Sequence, residues 1–272
     1  MVARSQRLLS VFGILGCDSV LVSYEGIVVA RREVGDNSCY IDILTDEQGI
    51  IEAAAHGAKK MNSSLLSSAA LFSYSTFCLS KNKLRYTVNS AKPKYSFHAL
   101  GSDIDKLALA SYFAQAVKFC TPSEQVQSAN DADSTVRFFA VSLYETLHGR
   151  ALVDVKSTFE LRYSSMLGFA PSLVACDHCC RYDNPGGMYF LPDKGLLLCA
   201  DCFNPDYGGE HEMLLPETLH AMRNIIFSPL DTAFKFEISP NASQQLSKIA
   251  EHYFLYRTER SFTALEYYKK LL

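Results

Sequence analysis

Four of the nine cysteines in this 272-residue chain fall in two pairs, Cys176-Asp177-His178-Cys179 and, nineteen residues later, Cys199-Ala200-Asp201-Cys202. Paired C-x2-C turns at this separation have the spacing of a zinc site. Zinc takes four thiolates in a tetrahedron, and four protein ligands leave no position for water, so the expected site is structural and not catalytic. The intervening residues suit a small knuckle. Asp183–Gly187 reads as a turn, Met188–Phe190 as a short strand, Pro192–Gly195 as a second turn, and Leu196–Leu198 as the return to the second pair. A redox C-x-x-C normally stands alone at the start of a helix, and a pair of disulfides requires an oxidising compartment. Cys180 lacks the two-residue spacer to Cys176. One Zn2+ per chain, on Cys176, Cys179, Cys199 and Cys202, is the expectation.

Little else in the chain has the makings of covalent chemistry. It has no glycine-rich phosphate loop and no G-x-S-x-G, and its seven histidines form neither H-E-x-x-H nor the H-x-E of a zinc deaminase. His178 is an alternative ligand. His56, His98, His148, His211, His220 and His252 have no partner at a meaningful spacing and read as surface or satisfied core residues. The chain is therefore not expected to be an enzyme. At 48% hydrophobic and 20% charged it has an ordinary globular composition. Its net charge of −3 gives no overall attraction to nucleic acid. The remaining cysteines, Cys17, Cys39, Cys78, Cys120 and Cys180, are odd in number and scattered, as free thiols in a reducing cytoplasm would be. No apolar run approaches a membrane span. Arg4 and Arg7 precede Leu8–Leu15, and Ile14-Leu15-Gly16-Cys17 resembles a lipoprotein cleavage box. That apolar run is short and export conflicts with a reduced zinc site, so residues 1–22 are read as an N-terminal extension: an extra strand, a docked segment or a mis-assigned start.

The charge pattern is more informative. Residues 53–102 contain no Asp or Glu, yet hold Lys59, Lys60, Lys81, Lys83, Arg85, Lys92 and Lys94. Such a stretch predicts a local electropositive face. Lys81, Lys83 and Arg85 share parity and would project from one side of a strand or hairpin. Arg31 and Arg32 close the first strand, and with Lys59, Lys60, Lys81, Lys83 and Arg85 they make up the candidate nucleic-acid-binding set. Tyr74, Phe77, Tyr86, Tyr95 and Phe97 are interleaved with these cations, and aromatics beside cations form a stacking platform for unpaired bases. The competing reading is that the aromatics fill a small core and the lysines only keep it soluble.

These residues need elements to position them. Ile27–Arg31, Tyr40–Leu44, Ile50–Ala55, Leu71–Leu79 and Leu84–Asn89 read as five short strands, with a helical piece at Ser63–Ala70. That order matches an OB-fold, a small barrel often used on single strands. Helix is expected after Pro93. Asp103 and Asp105 open a first turn, and Ile104–Phe119 is apolar nearly all round. After a loop at Ser128–Ser134, Val136, Phe139, Ala140, Leu143, Tyr144 and Leu147 mark a helix ending at Gly149. Further helices are expected at about Leu152–Leu167, at Pro216–Phe227, and around Leu246, Ile249, Ala250, Tyr253 and Phe254. The fold class is α+β: residues 1–22 an extension, 23–98 an OB-fold barrel, and 99–272 a helical domain carrying a zinc knuckle at 176–202. Tyr253, Phe254, Tyr256, Phe262, Tyr267 and Tyr268 crowd the C-terminus, which suggests a protein-binding groove beside simple core packing.

Phe159-Glu160-Leu161-Arg162, Leu167-Gly168-Phe169-Ala170-Pro171-Ser172-Leu173, the first cysteine pair and Gly195-Leu196-Leu197-Leu198-Cys199-x2-Cys202 together resemble the RecO family of bacterial recombination mediators. Ile43–Gly49 followed by His56-Gly57-Ala58-Lys59-Lys60 is similar to that family's second and third strands and its basic loop. The resemblance runs from about Tyr24 to Leu272. It departs at Ser63-Ser64, where the family often has Ser-Arg. What it implies is a non-enzymatic DNA-binding protein of recombinational repair, located in the cytoplasm at the nucleoid. Such a protein binds single- and double-stranded DNA, anneals strands, contacts the C-terminal tail of single-stranded-DNA-binding protein, and works with RecR to load RecA. The alternative is a zinc-knuckle adaptor that binds only proteins.

Overall fold

One long strand organises the N-terminal half. The computed structural model describes residues 20–83, 85–121, 134–149, 151–207 and 209–272. Strands β1 (Val20–Val34), β2 (Ser38–Thr45), β3 (Gly49–Ala55), β4 (Ser73–Asn82) and β5 (Arg85–Ser96) close on themselves in the order β1-β2-β3-β5-β4, with β4 returning to β1. All pairs are antiparallel except β3 with β5, where Ala53 lies opposite Tyr86 and Ala54 opposite Thr87. Side chains on a strand alternate between its two faces, so Ile41 and Ile43 on β2 and Ile51, Ala53 and Ala55 on β3 all enter one interior.

Strand β1 serves two partners. Val20–Ile27 runs along β4, and Gly26–Val34 along β2. The overlap at Gly26 leaves no room for a side chain, since a Cβ would lie 2.3 Å from the Leu44 carbonyl oxygen and 2.6 Å from Ile43 Cγ2. A bulge follows between Val28 and Ala30. An extra residue re-aims its neighbours, and here Val28 packs inside the barrel while Val29 packs with the helices.

The structure departs from the sequence expectations at several points. Strand β1 begins at Val20, so residues 20–22 belong to the barrel. Residues 1–19, including Cys17, and most of the expected loop at Ser128–Ser134 lie outside the described residues. Ser63–Ala70 is a train of turns and not a helix. Its backbone bonds are mostly three-residue closures, such as Ser63 to Lys60 and Leu66 to Ser63, and the Ser63 hydroxyl accepts from Leu65 N–H. A serine that bonds its own backbone in this way competes with helix. Strand β5 also continues past Pro93 to Ser96. Pro93 is tolerated because the register with β4 shifts beside it, between Tyr74 and Ser75.

The rest is helical: α1 (Ile104–Cys120), α2 (Thr135–His148), α3 (Leu152–Met166), α4 (Pro216–Phe227), α5 (Leu230–Ala233), α6 (Pro240–Thr258) and α7 (Thr263–Lys269). Between α3 and α4 lie β6 (Met188–Leu191), β7 (Leu196–Cys199) and β8 (Glu212–Leu214), a three-stranded sheet in the order β7-β6-β8. Asp103 caps α1 by accepting from the N–H groups of Asp105 and Lys106. Helix α2 buries Phe138, Ser142 and Thr146 beside Val136, Phe139 and Leu143, and leaves Tyr144 half exposed.

Barrel and helices share a core. Ile27, Val29, Leu44, Phe72 and Phe97 pack with α1, α2, α3 and α7. Phe159 of α3 stacks on Phe113 at 4.0 Å and on Phe138 at 5.3 Å. Polar ties reinforce the joint. Lys118 of α1 pairs with Asp42 of β2 at 2.6 Å, and Asp46, in the β2–β3 turn, accepts from Ser134 Oγ (2.5 Å) and Val136 N–H (3.1 Å) at the start of α2. A second core joins the knuckle sheet to α4 and α6. Tyr253, Phe254, Phe262 and Tyr268 are core residues, while Tyr256 and Tyr267 are half exposed. The expected C-terminal aromatic groove is thus mostly packing.

Candidate functional site

The four predicted cysteines converge. Their Sγ atoms all lie within 4.8 Å of one another. A tetrahedral ion with bonds of about 2.3 Å needs sulfurs about 3.8 Å apart, and Cys179 Sγ lies 3.6 Å from Cys199 Sγ. The first pair sits in a turn closed by Cys180 N–H to Cys176 O and by Cys176 N–H to Arg181 O. That turn requires a positive φ of 58° at Cys180, which is exposed and outside the cluster. The second pair hangs from the end of β7, with Cys202 N–H bonded to Cys199 O.

Main-chain groups prepare the sulfurs for charge. Burial disfavours the Cys176 thiolate, yet the N–H groups of Cys179, Cys199 and His178 bring its pKa down to about 6. Its neighbours resist ionising together. Cys202 is pushed up to about 12 by its hydrogen bond with Cys199 and by burial. A cation resolves that conflict, because a coordinated thiol is deprotonated outright. The donor set therefore fits a soft metal ion in a closed shell.

Second contacts hold the turns in place. Arg181 pairs with Asp201, between the second two cysteines, and Asn184 donates to the same carboxylate at 3.1 Å. Arg223 of α4 donates to the carbonyls of Leu173, Val174 and Tyr182 and lies 3.8 Å from the Tyr182 ring centroid. Arg162, within the family-like Phe159–Arg162 stretch, donates to Ile225, Ile226 and Ser228 carbonyls at the end of α4. Gly195 has φ +68°, and a Cβ there would lie 2.9 Å from the Tyr253 hydroxyl. His178 Nδ1 is 3.6 Å from Cys202 Sγ, a neighbour of the four and not one of them.

The basic candidates do not form one face. Arg31 lies opposite inward-facing Ile41, and its Nε is buried without a partner. Arg32 lies over Tyr40 at 5.3 Å and pairs with Glu52 at 3.4 Å. Lys59 pairs with Glu33 at 2.9 Å, and that hydrogen bond lowers the Glu33 pKa. Lys60 is exposed and has no ion pair among the described residues. The shared-parity expectation for Lys81, Lys83 and Arg85 fails because the chain turns between them. Lys83 has φ 53°, Lys81 is opposite Tyr86, and Arg85 is opposite Asn82, so Lys81 and Arg85 face opposite sides of the ribbon. Lys94 is matched by Glu25. A sequence stretch free of acids does not reveal the acids that β1 and β3 bring alongside. Of the aromatics, Phe77 and Phe97 are core residues and Tyr95 is about half exposed.

One cluster escaped the sequence reading. His252 of α6 lies between Asp193 (3.2 Å) and Glu210 (3.3 Å), which are 59 and 42 residues away, so no local spacing gives it away.

The fold is a closed five-stranded barrel that shares its core with a helical domain interrupted by a four-cysteine sheet, and among the described residues no helix is long and apolar enough to cross a membrane. The family model for the recombination protein O N terminus matches residues 20–97, and that for its C terminus matches residues 101–266. The chain belongs to the recombination protein O family. It is 30% identical over 250 residues to the DNA repair protein RecO of Acetivibrio thermocellus, covering 90% of this chain and 95% of the relative. With the protein of that name from Alkaliphilus metalliredigens it shares 29% over 258 residues, covering 93% and 100%. With that from Symbiobacterium thermophilum it shares 28% over 254 residues, covering 91% and 96%.

Proposed function

We propose that this chain is a non-enzymatic DNA-binding protein of recombinational repair whose barrel is an OB-fold and whose four cysteines hold one structural Zn2+. The observation that carries the reading is the barrel's strand order, with β3 parallel to β5, in a member of a family whose relatives are named for DNA repair. An OB-fold presents its loops to oligonucleotides, and the loop after β3 offers Lys60 as an uncommitted cation. By the family resemblance, the protein binds single- and double-stranded DNA and anneals strands. It acts in the bacterial cytoplasm at the nucleoid, with RecR, RecA and the acidic tail of single-stranded-DNA-binding protein as partners. The knuckle metal stabilises the helical domain and takes no part in a reaction, since four thiolates fill its shell.

The test is a titration of labelled single-stranded DNA at several salt concentrations. Each neutralised phosphate adds about −0.7 to the slope of log affinity against log salt on a single strand. Lys60→Ala should flatten the slope by about 0.7, and Lys59→Ala should do less, because Glu33 already holds that ammonium. No salt-dependent binding by the parental protein would leave a zinc-knuckle adaptor that binds only proteins.

A further inference from the structure

The connection from β3 to β4 carries a residue that phosphate binding does not explain. It is pinned to the barrel at several points. Ala58 and Leu65 enter the barrel's interior, Lys59 N–H bonds to Asn37 O at 3.1 Å, and Gly57 N–H bonds to Ser38 Oγ at 3.4 Å. Between these anchors a turn from Lys60 O to Ser63 N–H, 2.9 Å, pushes Lys60, Met61 and Asn62 outward. Met61 is 90% exposed, the most exposed large hydrophobic side chain among the described residues. It sits at the crest of a fixed turn, directly beside the uncommitted Lys60.

An unbranched thioether is polarizable, adapts its shape, and packs favourably against aromatic rings. A base in a duplex hides its face in the stack, whereas an unpaired base offers it. We propose that Met61 is a base-contacting residue: with Lys60 on a phosphate, its side chain lies against the face of an adjacent unstacked base, so that this loop favours single-stranded over double-stranded DNA. This rests on the DNA-binding reading above and adds a contact that senses strandedness without reading sequence.

The experiment uses the full chain, an oligonucleotide containing 2-aminopurine, and the matching duplex. The parental protein should bind the single strand and change the fluorescence of the reporter base. Met61→Ala should weaken single-strand binding about two- to tenfold, the range of a sulfur–ring contact. It should also reduce the fluorescence change, while duplex affinity, salt slope and melting temperature stay parental. Met61→Phe, which restores a flat apolar contact, should recover the loss. Parental single-strand affinity in Met61→Ala, or equal loss on single strand and duplex, would overturn the inference while leaving DNA binding intact. Absence of binding by the parental protein would instead remove the DNA-binding reading, and this inference with it.

Discussion

The barrel and the knuckle are both small sheets, and they are held by different means. The barrel closes its strand edges on one another and fills its interior with Val28, Ile41, Ile43, Ile51, Phe77 and Leu79. The knuckle has three strands of three or four residues, a β7 edge bridged by Ser172 and Asp177, and one face laid on α4 and α6. Strands this short need a buried face or another tether to be stable. Four sulfurs and the Arg181–Asp201 pair supply the tether. Charge separates the two regions as well. Residues 20–97 hold nine Lys and Arg (Arg31, Arg32, Lys59, Lys60, Lys81, Lys83, Arg85, Lys92, Lys94) against seven acids (Glu25, Glu33, Asp36, Asp42, Asp46, Glu47, Glu52). Residues 172–215 hold two (Arg181, Lys194) against seven (Asp177, Asp183, Asp193, Asp201, Asp206, Glu210, Glu212). The two regions divide the labour: an acidic module with a four-cysteine cluster packs on the helices, and a closed barrel without such a cluster carries most of their cations.

Metal removal tests that division with the largest expected effect. Thiolate zinc sites contribute on the order of 10–16 kcal/mol of apparent binding energy in small peptides. Chelation, or Cys199→Ser, should raise hydrogen exchange in residues 172–215 while β1–β5 keep their protection. Equal loosening of both regions would break the comparison, and absence of zinc from the purified protein would remove its metal half.

Helix α3 is the strut between the two cores, with Val155 and Phe159 in one and Leu161 in the other. Lys156 on α3 is almost fully buried. It pairs with Glu160 at 3.0 Å and with Glu251 of α6 at 2.8 Å, and Tyr112 of α1 donates to Glu160 at 2.9 Å. Removing one partner of a buried pair leaves an uncompensated charge and costs about 3–5 kcal/mol. Lys156→Met should therefore lower the denaturation midpoint of both regions together, unlike chelation, as followed by exchange at each. A loss confined to the knuckle would show that α3 does not couple them.

A smaller effect lies in the pH dependence of the same strut. Burial pushes the Glu160 pKa up to about 7, although Lys156 pulls it down. The folded protein thus retains a proton that the unfolded chain releases near the ordinary carboxylate value. The stability it contributes is full below that value and is lost as pH rises to about 7. Glu160→Gln should flatten the fall in stability between about pH 4.5 and 7, measured by urea denaturation across that range. An unchanged slope would place the titration elsewhere.

Much of this was legible in the sequence, and the failures have physical causes. The C-x2-C pairs have a fixed short spacing, so the convergence of Cys176, Cys179, Cys199 and Cys202 into one group able to hold a metal ion could be read directly. Helix α4 was legible from Pro216 and its apolar face. The basic surface was not, because a strand's neighbours come from distant sequence: Glu33 reaches Lys59 and Glu25 reaches Lys94 only after β1 has been laid beside its partners. The same holds for His252 with Asp193 and Glu210. Shared parity puts side chains on one face only along a continuous strand, and the chain turns at Lys83 between Lys81 and Arg85.

The most direct measurement is hydrogen exchange of the intact, metal-loaded protein with and without saturating single-stranded DNA. The account predicts slowed exchange at the loop of residues 56–66 and at the adjoining ends of β1 and β2, where Arg32, Tyr40 and Lys60 lie, with residues 172–215 unchanged. Protection centred on the acidic knuckle, or DNA binding with no protection anywhere on the barrel, would contradict it.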